Sequence, residues 1–202
     1  MNSSPGIIAL PEPETSGDIP LETLLQHRRS VREYGEAALE LAAIGQLLWA
    51  AQGITHPQGL RTAPSAGALY PLELYVVIGN VEGLTPGVYH YQPDRHGLQQ
   101  TSTVDQRRLL AHAAHGQSWV RTAPAVVVIT AVYKRTTGKY ADRGVRYVHM
   151  EVGHAAQNLF LQAEALGLAA VVVGAFEDAA VATALGLATD EQPLMLLPVG
   201  SK

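Results

Sequence analysis

Residues 72–101 read LELYVVIGNVEGLTPGVYHYQPDRHGLQQT, and this stretch decides the fold class. Its β-branched and aromatic residues fall in three segments, residues 72–79, 87–92 and 97–101, which are separated by seven and four residues. Parallel strands need a crossover connection of about a dozen residues or more, so these short connections predict an antiparallel meander. Because helical patterns flank the meander, the sequence predicts an α+β fold in which helices flank a central, mostly antiparallel sheet.

Helical and strand patterns continue on both sides of the meander. Helices are predicted directly after Pro20 and over residues 37–52, 104–115, 145–166 and 177–185. Further strands are predicted over residues 125–132, 169–173 and 194–199. Residues 136–144 are polar and predict a loop. Residues 53–71 form a long connection, which in a compact domain is typically either functional or disordered.

The domain organisation is simple. Residues 1–17 are rich in Pro, Ser, Glu and Gly and predict a flexible, extended N-terminal arm, because X-Pro pairs resist helix formation. Residues 18–202 predict a single domain, since the chain is close to the usual size of one domain.

Composition excludes several function classes. The net charge of −4 argues against a nucleic-acid binder with a broad basic face. The absence of cysteine removes thiol catalysis, disulfides and cysteine-ligated metal sites. The eight histidines have no ligand spacing, so no metal site is predicted. No apolar run approaches the roughly 20 residues of a membrane span, and the N-terminus lacks a signal-peptide pattern, so we expect a soluble cytoplasmic protein.

The small share of charged residues has a second implication. Charged residues make up 16% of the chain, whereas about a quarter is typical of globular proteins. We therefore expect part of the surface to be covered by a partner subunit or a bound cofactor.

Three short motifs are candidates for ligand binding. Residues 28–32 place three arginines and a serine together, which suits an anion such as phosphate, although a solvated basic turn gives the same pattern. Residues 64–71 contain small residues that let backbone approach a flat ligand, although an ordinary turn before a strand is an equal alternative. Residues 171–176 end an apolar strand in Gly174 and Ala175, where backbone amides can be free, although a plain strand-to-helix turn has the same sequence.

Taken together and in chain order, these motifs resemble the nitroreductase family. The resemblance covers about residues 20–202 and rests on six motifs, at residues 28–32, 64–67, 151–159, 165–168, 174–176 and 198–200. The continuation at residues 68–75, with Lys139-Tyr140 and Gly153-His154, is similar to the SagB/thiazole-oxidase branch of that family.

The resemblance implies an intertwined homodimer with non-covalent FMN at the interface between subunits. Residues carried over by motif as FMN contacts are Arg28, Arg29, Ser30, Arg32, Pro64, Ser65, Ala66, Gly67, Leu69, Gly174, Ala175 and Lys202. Arg28 and Ser30 would face phosphate and ribityl oxygens, and Arg32 would lie near the N1/O2 edge of the flavin. Residues 64–67 would reach the flavin of the other subunit, and the backbone at Gly174 and Ala175 would face its N5.

The sequence departs from the family pattern at Ala68 and near the C-terminus. Ala68 stands where many members have an amide side chain that bonds the flavin ring, so a backbone group would have to replace it. Lys202 is the single basic residue near the C-terminus that could contact the phosphate, where the family usually has more.

The resemblance leaves three functions open. The first is an FMN-dependent oxidoreductase that transfers hydride in a ping-pong reaction from NAD(P)H to a small acceptor, such as a nitroaromatic or a quinone. The second is a SagB-type azoline dehydrogenase of modified-peptide biosynthesis, in which Lys139 and Tyr140 would remove a proton, although a surface pair in a polar loop explains these residues equally well. The third is a flavin-binding protein without catalytic activity.

Overall fold

The computed structural model describes residues 6–202, and a single sheet runs through it. The strands are β1 (Ile7–Ala9), β2 (Leu72–Ile78), β3 (Gly87–Gln92), β4 (Gly97–Ser102), β5 (Ala125–Ala131), β6 (Leu168–Ala170) and β7 (Gln192–Ser201). They lie in the order β1-β4-β3-β2-β5-β7-β6, and every neighbouring pair is antiparallel. The predicted α+β class and the antiparallel meander are therefore confirmed.

Within the described residues, seven α-helices flank the sheet. They are α1 (Leu21–His27), α2 (Leu41–Gln52), α3 (Arg107–Ala113), α4 (Ser118–Thr122), α5 (Lys134–Tyr140), α6 (Arg143–Ala165) and α7 (Asp178–Leu185), and a 3-10 turn lies at Ala66–Ala68. None of the helices in residues 6–202 combines the length and the apolar character that a membrane crossing requires.

The centre of the sheet is buried on both faces. Strands β2 and β5 pair from Leu72 opposite Ala131 to Ile78 opposite Ala125. Alternate side chains of β2 point to opposite faces, so Leu74 enters a core with α2 and α6, whereas Tyr75 enters a second core with α3, α4 and α7. Two covered faces explain why β2 and β5 are nearly continuous runs of apolar residues.

The N-terminal arm lies along the domain. The first five residues of the predicted arm are outside the described residues, and the next ones form β1 on the edge of β4. Leu10 enters the core, and Gln46 on α2 exchanges two hydrogen bonds with the backbone of Glu14, of 2.8 and 2.9 Å. The described part of the predicted flexible arm is thus extended, and it is held by backbone pairing that its composition does not reveal.

The prediction of a loop over residues 136–144 is wrong, because α5 and the start of α6 occupy most of this segment. Thr136 is buried, and Gly144 packs so closely that an added Cβ would lie 2.9 Å from the Thr137 backbone. A glycine at this contact lets α5 and α6 meet at a sharp corner. Helix α5 has no apolar repeat, so its packing on α6 stabilises it rather than its own sequence pattern.

Helix α2 begins four residues later than the predicted 37–52. Leu39 instead bridges Val81, with its N–H donating to Asn80 and its carbonyl accepting from Glu82, so this segment is extended. Helix α4 was not predicted, and it lies in the region between the predicted helix 104–115 and β5.

Candidate active site

Residues 28–32 form an extended basic segment directly after α1. The backbone N–H of Val31 donates to the Ala170 carbonyl at 2.9 Å, which fixes the segment beside β6. The guanidinium of Arg28 lies 5.2 Å from the centre of the Phe160 ring, and that of Arg32 lies 5.5 Å from the Trp119 ring. Such contacts orient an arginine side chain and leave its N–H groups available to a ligand.

Arg29 differs from its two neighbours. Its guanidinium donates to the carbonyls of Gln26 and Arg28 at 3.0 and 2.8 Å, so it caps the C-terminal end of α1. Within residues 6–202, none of the three arginines is paired with a carboxylate. The segment therefore presents uncompensated positive charge, as an anion site requires.

The backbone at Gly174 and Ala175 lies on the same side of the domain. Both residues are exposed, and a Cβ added to Gly174 would meet nothing within 4 Å. The carbonyl of Ala175 accepts a hydrogen bond of 3.2 Å from Gln117, two residues before the Trp119 that contacts Arg32. The structure thus brings the predicted motif at residues 171–176 close to the basic segment.

Lys202 is engaged within the chain. Its ammonium forms an ion pair of 2.8 Å with Glu164 near the end of α6. A contact of Lys202 with a ligand phosphate would have to share or replace this pair.

Residues 64–70 form a second group, which we call the glycine turn. Ser65 organises it: its hydroxyl accepts the Tyr70 N–H at 2.9 Å, and its carbonyl accepts the Ala68 N–H at 3.0 Å. Gly67, Ala68 and Tyr70 have φ angles of +66°, +52° and +44°. Left-handed conformations cost free energy in residues other than glycine and cluster at functional sites, so the turn is a candidate site on backbone geometry as well.

Lys139 and Tyr140 lie against the glycine turn. A Cβ built on Gly67 would be 2.8 Å from the Tyr140 hydroxyl and 3.0 Å from the Lys139 ammonium nitrogen. The two side chains come from the last turn of α5, and the Lys139 ammonium lies 5.4 Å from the centre of the Tyr140 ring. A proton donor or acceptor pair therefore borders a turn of small residues.

An ionic brace, made of the half-buried Glu73 and His90 and the exposed Arg135, connects the glycine turn to the sheet and to α5. Arg135 pairs with Glu73 at 2.5 Å and donates to the Tyr70 carbonyl at 3.1 Å, and His90 contacts the same carboxylate at 2.8 Å. Burial alone would raise the pKa of Glu73, but the hydrogen bonds and charges of His90 and Arg135 hold it below its usual range. Glu73 falls within the motif at residues 68–75, but His90 and Arg135 belong to no motif, because the brace joins three separate elements.

Glu151 lies buried behind the glycine turn. It is 2% exposed, and one of its carboxylate oxygens has no hydrogen-bond partner. Burial raises its pKa to about 7, although Ser65 and Arg61 act in the opposite direction. Arg61, whose own pKa burial lowers, stacks on Tyr70 at 4.6 Å and donates to Gln52 at 2.8 Å. In the sequence, Glu151 is the first residue of the motif at residues 151–159, and no pattern there indicates its burial.

The other polar residues of α6 make packing contacts. The Asn158 amide donates to the Thr62 carbonyl at 3.3 Å, and Gln162 accepts from Gln46 at 3.2 Å. These contacts hold the connection at residues 53–71 and α2 against α6.

The basic segment and the glycine turn are separated along α6. Phe160 contacts the basic segment and Glu151 lies behind the glycine turn, so nine residues, or about 13 Å of helix rise, divide the two contacts. One chain therefore presents two half-sites: one suited to an anion beside exposed backbone, and one with a Lys-Tyr pair over a turn of small residues. Across residues 6–202, no cluster of metal-ligand residues accompanies them.

The similarity of the chain to known proteins extends over the residues of both half-sites. The sequence profile of the nitroreductase family matches residues 25–201. The protein MJ1384 of Methanocaldococcus jannaschii, a nitroreductase by name, is 48% identical over 195 residues, which cover 96% of each protein. A solved structure from Ralstonia eutropha, also a nitroreductase by name, matches the whole chain and 91% of its own length, with a TM-score of 0.85 and 32% identity.

A further relative is named for the processing of a microcin instead of as a nitroreductase. McbC of Escherichia coli, a microcin B17-processing protein, is 32% identical over 155 residues. The match covers 74% of the chain and 57% of McbC, so the chain spans little more than half the length of that protein.

Proposed function

The chain belongs to the nitroreductase family, and on that premise we propose that it is an FMN-dependent oxidoreductase. In this proposal it accepts hydride from NAD(P)H and delivers the electrons to a small acceptor, such as a nitroaromatic or a quinone. The observation that carries the proposal is the unpaired basic segment beside the open backbone of Gly174 and Ala175.

The residues present fit FMN. Arg28 and Ser30 offer guanidinium and hydroxyl donors to phosphate and ribityl oxygens, and no carboxylate of the described chain competes for Arg28. The open space at Gly174 leaves room for a flat ring against backbone. When bound, FMN supplies the two-electron redox chemistry, and the protein binds and orients the reactants.

Arg32 has a specific electrostatic role in this proposal. Its guanidinium is held over the Trp119 ring, so it presents a fixed positive charge at the edge of the half-site. A fixed charge stabilises negative charge that develops in a poorly solvated site, because it needs no reorganisation when the charge appears. Arg32 therefore favours the reduced state of the bound ring system.

A homodimer would bring the two half-sites together. Within one chain the glycine turn and the basic segment are separated along α6, so a second copy is needed to close the site. The side chains of Leu21 and Leu25 on α1 are exposed. They adjoin a groove of about 600 Å³ that the N-terminal arm, α1, α2 and α6 line with both apolar and acidic residues. Exposed leucines suit contact with a second subunit, and the low share of charged residues agrees with it.

One experiment tests the proposed function. Purified protein is examined by visible spectroscopy, and NADH or NADPH is then added without oxygen. We expect a flavin spectrum that bleaches, followed by recovery of the oxidised spectrum on addition of a quinone or nitroaromatic. Protein without flavin would contradict the proposal, and flavin that neither nucleotide reduces would favour the second candidate or a flavin-binding protein without activity.

The second candidate is an azoline dehydrogenase of modified-peptide biosynthesis. The contact of Lys139 and Tyr140 with Gly67 favours it, since this pair could remove a proton from a ring held in the glycine turn. The similarity to McbC also supports it. This candidate expects Lys139→Ala to abolish oxidation of an azoline peptide while FMN stays bound, whereas nitroreductase activity that survives the same change would favour the first candidate.

A further inference from the structure

The corner between α5 and α6 carries an exposed positive charge that the proposed reaction does not use. Five of the 14 lysines and arginines lie within residues 134–146, where Asp142 is the one acidic residue, although the whole chain has a net charge of −4. All five cations are exposed, and Arg135 alone of them forms an ion pair in the described chain, with Glu73. Lys134 begins α5, whereas Lys139, Arg143 and Arg146 lie at the end of α5 and the start of α6. We call Lys139, Arg143 and Arg146 the basic corner.

An aromatic pair joins the two helices at the basic corner. The Tyr140 and Tyr147 rings meet edge to face, with centres 5.2 Å apart. Arg143 lies four residues before Tyr147 and three before Arg146, so it neighbours both residues on the surface of α6. The first turn of α6 contains no acidic residue that would neutralise them.

We propose that the basic corner binds the phosphorylated adenosine half of NADPH and makes NADPH the preferred electron donor; this inference rests on the proposed function. Arg143 and Arg146 bind the 2′-phosphate, which carries up to two negative charges, through charge-assisted hydrogen bonds. Tyr147 offers an aromatic edge and face to the adenine. Lys139 is the member of the corner that lies against Gly67, so the nucleotide extends from the two arginines toward the glycine turn.

The chemistry favours this occupant over a generic anion. A lone carboxylate needs one arginine, whereas two unpaired arginines three residues apart on one helix match a phosphate dianion. NADH lacks the 2′-phosphate but shares every other group, so it serves as an internal control for the assignment.

Two measurements on the flavin-loaded protein test the proposal. The first compares kcat/KM for NADPH and NADH in the wild type and in a variant that combines Arg143→Gln and Arg146→Gln. We expect the wild type to favour NADPH by about tenfold or more, and the variant to lose about that factor for NADPH while its NADH value stays within about twofold. Arg108→Gln on α3, which removes an exposed charge elsewhere, should change neither value.

The second measurement does not depend on turnover. Calorimetry compares adenosine 2′,5′-bisphosphate with AMP, and we expect the bisphosphate to bind the wild type about tenfold more tightly, with the difference lost in the double variant. Equal use of both nucleotides, a parallel loss for both, or equal binding of the two adenosine ligands would overturn the inference and leave the proposed function intact. Selective binding of the bisphosphate without flavin reduction would overturn the proposed function and leave the phosphate site standing.

Discussion

Gly67 lies directly against Tyr140, although the two residues are separated by more than 70 positions in the sequence. A Cβ at position 67 would come within 2.8 Å of the Tyr140 hydroxyl, and the φ of Gly67 is +66°. The position therefore excludes side chains for two independent reasons, a steric one and a conformational one. This contact links the glycine turn to α5, and it provides the first prediction.

Gly67→Ala should disrupt the candidate site more than it disrupts the fold. The conformational cost of a left-handed alanine is about 1–2 kcal/mol, and the new methyl group would also push Tyr140 or Lys139 away. We expect reduced stability in urea unfolding together with a loss of turnover.

Gly83→Ala is the matched control for this change. Gly83 has a φ of +76° and open space around its Cβ, so it bears the conformational cost alone. Equal effects of the two alanines on turnover would show that the contact with Tyr140 is unimportant.

Arg28→Gln should weaken FMN binding far more than Arg29→Gln. Arg28 is held over Phe160 with its donors free, whereas Arg29 caps the carbonyls at the end of α1. Loss of a charge-assisted bond to phosphate predicts a fall in affinity of about tenfold or more for Arg28→Gln, measured by titrating flavin-free protein with FMN. A larger effect at Arg29 would reverse the roles that we assign to these residues.

Glu151→Gln should stabilise the protein at neutral and alkaline pH. The folded-state pKa of about 7 lies above the ordinary value of 4.5, so the folded protein binds more protons between these values and loses stability as pH rises through them. The loss amounts to about 3 kcal/mol at most, and glutamine cannot ionise.

Urea unfolding at pH 4.5 and pH 8 measures this effect. The stability difference between Glu151→Gln and the wild type should become more favourable to the variant at the higher pH. The exposed Glu82→Gln is the control and should show no such change. A difference that does not depend on pH would mean that Glu151 is not held neutral by burial.

Glu73→Gln should have the opposite pH dependence. Arg135 and His90 hold the pKa of Glu73 below its usual range, so its ionised form stabilises the fold above the unfolded-state pKa, and this stabilisation disappears as pH falls through the folded-state pKa. We expect Glu73→Gln to cost about 1–3 kcal/mol at pH 7 and progressively less under acid conditions, as measured by urea unfolding. A cost that persists unchanged in acid would assign the effect to packing instead of charge, and the exposed Glu36→Gln should have no effect at either pH.

The sequence predicted the central sheet well because its signals are local. Strand β3 was predicted with its observed bounds, since glycine, proline and alternating aromatic residues mark both ends. Helix α5 was missed because its residues, from Lys134 to Tyr140, have no apolar repeat and depend on α6 for stability. The bounds of α2 were wrong for a related reason: the backbone of Leu39 pairs with a segment more than 40 residues away.

In the candidate site, too, the residues with a local sequence signal were predicted and those that depend on tertiary contacts were not. The basic segment and residues 64–67 were found as motifs, because short runs of arginine or small residues are visible in a sequence. The brace of Glu73, His90 and Arg135 joins two strands and a helix, so no local pattern could identify it. The position of Lys139 and Tyr140 on a helix, rather than in the predicted loop, likewise depends on tertiary packing.

The lengths of the two outermost strands bear on how the protein behaves at high concentration. Both β1 and β6 contain three residues, so little unpaired backbone is offered to another chain at either end of the sheet. Strand β1 covers residues 97–99, the first half of the six-residue β4 behind it. Removing the N-terminal arm would uncover a longer strand with free N–H and C=O groups, and the shortened protein would be prone to intermolecular aggregation.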